Sequence, residues 1–227
     1  MIITEQNTTI INNRKILNLK VNNFKANSQY LKEIIESNDI IYLNELWLHQ
    51  SEEKVIKDIL PINKLLYFKS SMDDSYKRGR PFGGQAWIVN SNLYKQSINF
   101  ISDNISELTF HCTSNYKLKI IGVYLPQVNG DVVRLTEYSS LLKIISTLIS
   151  VDYFNREAML CIGDFNADPN RLTANKNDFE FRNFLTKTSA TLISQLFTQR
   201  AGYTYNNGNH FAHLDHVICN GSANQTE

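Results

Sequence analysis

Oxygen-bearing side chains interrupt apolar runs at three separated places in this chain of 227 residues. The stretch CIGDFNADPNR (161–171) delivers Asp164 and Asn166 just after Gly163. IIYLNELWL (40–48) encloses Glu45, and HLDHVIC (213–219) encloses Asp215. Side chains alternate faces along a strand, so Asp164 and Asn166 project to one side while Phe165 turns into the core. An isolated D-x-N also closes turns by bonding the local backbone. Glu45 argues for more than a turn, because a carboxylate inside an apolar run is costly unless it is paired or bound to a cation. Asp215 repeats the pattern near the other end. Three strand ends that each carry an acid suit a hard divalent ion, since Mg²⁺ takes oxygen ligands and is usually held by one or two carboxylates plus water and substrate phosphate.

The elements that must position these groups are legible as alternating short and long patterns. KILNLKV (15–21), DIIYLNELWL (39–48), QAWIVN (85–90), LTFHCT (108–113), KLKIIGVYL (117–125), AMLCIGDF (158–165) and HLDHVIC read as strands rich in β-branched and aromatic residues. NSQYLKEIIES (27–37) and EYSSLLKIISTLIS (137–150) carry apolar residues at helical spacing, and residues 178–196 hold further helical turns. This alternation predicts an α/β layered domain. We place it at residues 14–221, with frayed ends at 1–13 and 222–227. Lys plus Arg total 23 against 22 Asp plus Glu, a net charge of +1, so any nucleic-acid surface is local. Three scattered cysteines predict neither a disulfide framework nor a zinc site. No signal-peptide layout or apolar run near the ~20 residues of a membrane span is present, which predicts a soluble, intracellular protein without membrane contact.

The ordered series FKANSQYLKEIIESNDIIYLNELWL, GRPFGGQAWIVN, IIGVYLP, LCIGDFNADPNR and YTYNNGNHFAHLDHVI resembles the endonuclease/exonuclease/phosphatase family, and within it the apurinic-type endonuclease domain of non-LTR (LINE-like) retrotransposons. The resemblance implies a four-layer α/β sandwich of two mixed β-sheets flanked by helices. It also implies Mg²⁺, or Mn²⁺, as cofactor, DNA as substrate, a reverse transcriptase domain as partner in a parent polyprotein, and a nuclear site of action. Carried over by motif, Glu45 matches the metal-binding glutamate and Asn22 a weaker metal-contacting position. Tyr124 matches the tyrosine that contacts the scissile phosphate. Asp164 and Asn166 match the pair that organises water, leaving group and phosphate, and Asp215 matches an aspartate of the same polar network. Thr204 matches a threonine near the DNA, though it also suits an ordinary strand. Lys77, Arg78 and Arg80 match the family's basic loop, or form a solvated turn. Alternative readings are an inactive nucleic-acid-binding remnant, and a phosphodiesterase or phosphatase acting on a small or lipid phosphate.

Two departures bear on activity. Lys20 stands where the resembled family carries an asparagine on its first strand. A protonated lysine cannot ligate Mg²⁺, so Lys20 is expected to enter the acidic cluster as a resident cation. Asn18 fills the asparagine's role only if the strand slips by two residues. The S-D-H strand that supplies the family's general base does not follow Asp215, so the chain is expected to be C-terminally truncated, to lack the last strand, and to be a weak enzyme. His216 is predicted to face away from Asp215, whereas His213 shares its parity.

Overall fold

Alternation within the strands sorts the apolar side chains into three layers. The computed structural model describes residues 7–11, 14–72, 75, 81–112, 117–155, 158–193, 204–206 and 211–220. Strands β1 (Asn7–Ile11), β2 (Arg14–Lys20), β3 (Ile40–Asn44), β4 (Lys64–Lys69) and β5 (Gln85–Asn90) form a first mixed sheet, in the spatial order β1-β2-β3-β5-β4. The second sheet uses β6 (Tyr94–Phe100), β7 (Ile105–His111), β8 (Lys117–Tyr124), β9 (Ala158–Asp164), β10 (Thr191–Leu192) and β13 (Asp215–Cys219), in the order β10-β13-β9-β8-β7-β6. A short hairpin joins β11 (Tyr205–Asn206) to β12 (Phe211–Ala212). The helices are α1 (Phe24–Ser37), α2 (Glu53–Lys57), α3 (Val132–Asn155) and α4 (Lys176–Thr188).

Each sheet contains one parallel pair with a helical crossover: β2 and β3 through α1, and β8 and β9 through α3. On the outer face of the first sheet, Leu17, Leu19, Ile41 and Leu43 pack against Phe24, Leu31, Ile34 and Ile35 of α1. On the outer face of the second, Ile121, Val123, Met159 and Cys161 pack against Tyr138, Leu142 and Ile145 of α3 and Phe181 of α4. Between the sheets, Ile16, Ile40, Tyr42, Trp87 and Val89 meet Leu118, Ile120, Leu160, Ile162 and Val217. The result is the expected four-layer arrangement, helices, sheet, sheet, helices. Full burial of each such side chain contributes about 1.5–3 kcal/mol. Gly122 leaves room for the Tyr42 ring between the sheets, since a Cβ there would lie 2.4 Å from it.

Several boundaries differ from the sequence reading. Residues 7–11, expected to fray, are a strand paired in register with β2, Asn7 opposite Asn18 and Ile11 opposite Arg14. β4 and β6 were not anticipated, because both are edge strands; β6 in particular, YKQSINF, alternates exposed and half-buried residues and has no apolar run. β3 stops at Asn44, so Glu45 (φ 58°) lies just past its end rather than within it. α1 begins three residues earlier than read, at Phe24, where Asn23 caps it by accepting from the Ala26 amide at 3.4 Å. α4 supplies helical turns within the stretch 178–196 and ends at Thr188, where Ser189 turns left-handed (φ 52°) and the chain enters β10; residues 194–196 lie outside the described residues. The outer edge of β13 is partly covered by β10, which pairs with Ile218 and Cys219. The tail 222–227 lies outside the described residues.

Candidate active site

The layer between the sheets is apolar along most of its length and turns polar at one end. The same alternation that buries Ile16 carries on to Asn18 and Lys20, and that of Ile40 and Tyr42 to Asn44. Leu160 and Ile162 lead to Asp164, Leu118 and Ile120 to Tyr124, and Cys219 and Val217 back to Asp215. Register completes the arrangement. Asp164 is the cross-strand partner of Tyr124 on one side and of Asp215 on the other, while Lys20 is opposite Asn44. Because each strand stops within a residue or two of these positions, the polar groups collect at a common end of the sandwich.

Asp164 is only 1% exposed, and its Oδ2 accepts a hydrogen bond from Lys20 Nζ at 2.7 Å. Its Oδ1 accepts from the Asn166 amide at 2.8 Å. The Lys20 ammonium also lies 5.5 Å from the centre of the Tyr124 ring. Burial pulls the Lys20 pKa down, but Asp164, then Asp215 and Glu45, more than offset this and leave it raised. Asp215 has neutral partners instead. Asn18 Nδ2 donates to its Oδ1 at 3.1 Å, and Asn44 Nδ2 donates to Asn18 Oδ1 at 3.3 Å. Burial, then the charge of Asp164, pushes the Asp215 carboxyl up to about 7 against the pull of Lys20, Thr204 and Asn18. Burial and the neighbouring Glu45 carboxylate raise the Tyr124 hydroxyl, which therefore stays a protonated donor at neutral pH. Glu45 accepts from its neighbour Trp47 Nε1.

The structure thus brings together Lys20, Glu45, Tyr124, Asp164 and Asp215. Lys20 sits in the acidic cluster. Asn166 departs from the strand parity expected for it: β9 ends at Asp164, Asn166 turns left-handed (φ 47°), and its Nδ2 donates to the Leu125 carbonyl at 2.7 Å, tying the ends of β8 and β9 together. Asn22 (φ 48°) lies in the turn that links β2 to α1. Thr204 acts inward, its Oγ1 accepting from the amides of Leu214 at 2.7 Å and Asp215 at 3.1 Å. Lys77, Arg78 and Arg80 lie outside the described residues. His216 faces away from the site, with Nε2 2.8 Å from the Ala167 carbonyl and its ring 5.1 Å from that of Phe181. The His213 amide donates to Asp168 Oδ2 at 3.2 Å. Sequence reasoning missed Asn44 altogether and missed Asn18 as the partner of Asp215. Their even spacing with Lys20 and Tyr42 was the signal that could have found them.

The donor set does not form a ready Mg²⁺ or Mn²⁺ site. Among the described residues, no group of three or more His, Cys, Asp or Glu side chains is gathered to hold a metal ion. Asp164 is engaged by Lys20 and Asn166, Asp215 by Asn18, and Glu45 by Trp47. The ammonium of Lys20 feels all three acids and has no lone pair to offer a metal while protonated. These residues fit a resident cation.

The family model described as Endonuclease/Exonuclease/phosphatase family matches residues 14–226. No curated protein matches the chain by sequence. Among solved structures, the AP endonuclease LMAP from Leishmania major is similar in fold, with a TM-score of 0.74, 14% identity, and coverage of 96% of this chain and 84% of that one. The APE2 catalytic domain from Xenopus laevis gives a TM-score of 0.69 at 16% identity, covering 91% of this chain and 82% of its own. The 3′ phosphatase NExo from Neisseria, solved bound to a product DNA hairpin, gives 0.63 at 16% identity, with 92% and 87% covered. At these identities the structures speak for the fold, whereas the family model spans nearly the whole chain and agrees with it: the chain belongs to the endonuclease/exonuclease/phosphatase family.

Proposed function

We propose that this chain hydrolyses phosphodiester bonds of DNA, nicking one strand, as the endonuclease domain of a non-LTR retroelement. The observation that carries the reading is the Lys20–Asp164 ion pair opposite Asp215 and beside Tyr124, at the polar end of the sandwich. The stretches GRPFGGQAW and IGDFNADPNR support the retroelement branch, and with it a reverse transcriptase as partner and the nucleus as site of action. DNA as substrate is also supported by the likeness to an AP endonuclease and to a phosphatase solved with a DNA hairpin.

In-line attack of water on a phosphodiester builds negative charge on the non-bridging oxygens. Fixed donors aimed at that charge stabilise it without reorganising. The Lys20 ammonium, held by Asp164, would serve as such a donor, with the Tyr124 hydroxyl, bonded to Glu45, as a second beside it. Asn166 stiffens the support by fixing the turn after β9 to β8. The resemblance assigns a metal to Glu45 and Asn22, but with the acids already engaged no step is assigned to it.

The test is a substrate panel: supercoiled plasmid, an abasic oligonucleotide duplex, and inositol and lipid phosphates, each with Mg²⁺ and with EDTA. Conversion of plasmid to open circle, with no phosphate release from the small substrates, supports the reading. Release from an inositol or lipid phosphate without nicking overturns it in favour of a small-substrate phosphatase.

A further inference from the structure

Two carboxyl groups face each other across β9 and β13, and they are treated differently by their surroundings. Asp164 is claimed by an ammonium at 2.7 Å. Asp215, 4% exposed, is claimed by a carboxamide, and that carboxamide is itself held by a second one. Asn18 is 2% exposed and Asn44 is wholly buried, so neither is a casual surface contact. Among the described residues Asn44 Oδ1 has no hydrogen-bond partner, and the donation of its Nδ2 to Asn18 is the side-chain bond that accounts for a carboxamide in the layer between the sheets.

We infer that Asn18, oriented by Asn44, is a positioning residue that holds Asp215 as the proton acceptor for the attacking water. The inference rests on the hydrolase reading above. In the step, a water O–H bond breaks and its proton passes to the Asp215 carboxylate. The new P–O bond forms as the P–O bond to the leaving oxygen breaks, and that oxygen takes a proton from solvent. Asp215 then returns its proton to solvent, so charge and atoms balance.

The neutral clamp is what makes this division of labour possible. A base works best when its proton affinity lies near the working pH. Asp164 is taken up by the Lys20 ammonium, whereas Asp215 is oriented by a neutral carboxamide that adds no full charge to its carboxyl. The raised Asp215 carboxyl agrees with that assignment. The charged groups that bear on it are Asp164 of β9 and Lys20 of β2; Glu45, after β3, acts on Lys20 in turn, Tyr124 of β8 pairs with the far side of Asp164, and His216 of its own strand faces the other way.

Two measurements test the inference. The first is the pH profile of plasmid nicking for wild type, Asn18→Leu and Asn44→Leu. The second is titration of the Asp215 carboxyl by carbon-detected NMR of the same proteins without DNA. Loss of the Asn18 donor removes a hydrogen bond to the charged form, so both the acid limb and the NMR titration should move up by about one pH unit. Asn44→Leu should move both in the same direction by less, and this second, more conservative disturbance covers the case in which Asn18→Leu fails to fold. An unchanged carboxyl titration in a folded Asn18→Leu or Asn44→Leu protein overturns the inference. So does a shifted titration that leaves the acid limb in place. Absence of nicking at every pH, with the NMR shift present, instead overturns the hydrolase reading and leaves the clamp standing.

Discussion

Replacing Lys20 with asparagine separates a resident cation from a metal site. In wild type the ammonium is the charged partner of an Asp164 that is 1% exposed, while the Lys20 side chain itself is 21% exposed. Removing one member of a buried pair costs about 3–5 kcal/mol, because the remaining charge is left uncompensated. Asp164 keeps the amide of Asn166, and water reaches the space vacated by a partly exposed lysine, so the low end of that range applies. For a domain of this size ~3 kcal/mol corresponds to a fall in Tm of roughly 6–12 °C. The same change frees three acids that had shared the ammonium, and a carboxamide can ligate where a lysine cannot. A divalent ion at about 100 times its Kd would then restore about 2.7 kcal/mol. Thermal denaturation in EDTA, Mg²⁺ and Mn²⁺ reads both effects. Lys20→Asn should be markedly less stable in EDTA and recover several degrees with either ion, while wild type should show no comparable metal-dependent gain. Equal stabilisation of wild type and variant by the ions, or a variant as stable as wild type in EDTA, would refute the reasoning.

Two further outcomes follow from the packing and the charges. Gly122→Ala puts a methyl group 2.4 Å from the Tyr42 ring, and should cost about 1–3 kcal/mol by overpacking, read as a lower urea midpoint with an unchanged slope and partly reversed by Tyr42→Leu. Because the folded-state pKa of Asp215 lies at about 7, above its ordinary 3.8, its contribution to stability is full below pH ~4 and is lost as pH rises through about 7, up to roughly 4 kcal/mol in all. Urea unfolding between pH 5 and pH 8 should therefore show wild type losing stability relative to Asp215→Asn, and parallel curves would show the carboxyl is not held protonated.

How far the sequence reached depended on what each residue faces. The buried strands β2, β3, β5, β8 and β9 were legible because both their faces are apolar. The edge strand β6 was not, because half of it faces water and reads as loop. Asp164, Asp215 and Tyr124 were found by motif and by their place at the ends of apolar runs, and Lys20 by its departure from a motif. Asn166 illustrates the limit of parity arguments. The left-handed turn that redirects it is a tertiary matter, fixed by its bond to Leu125 forty-one positions away. Asn18 and Asn44 escaped for a related reason: each asparagine alone looks like a polar interruption of a strand, and only the register of β2 with β3 and the facing of the two sheets turns them into a chain ending on Asp215.

Cleavage of DNA at the polar end of the sandwich should depend on Asp164 and its neighbours. Nicking of supercoiled plasmid by wild type and by Asp164→Asn, at matched folded concentration checked by circular dichroism, tests it most directly. Asp164→Asn leaves Lys20 without its anion and changes the charge beside Asp215, so nicking should fall by about 10²-fold or more, the size expected when a fixed donor to the transition-state charge is lost. Equal nicking by the two proteins, or none by wild type above the buffer background, would contradict the account.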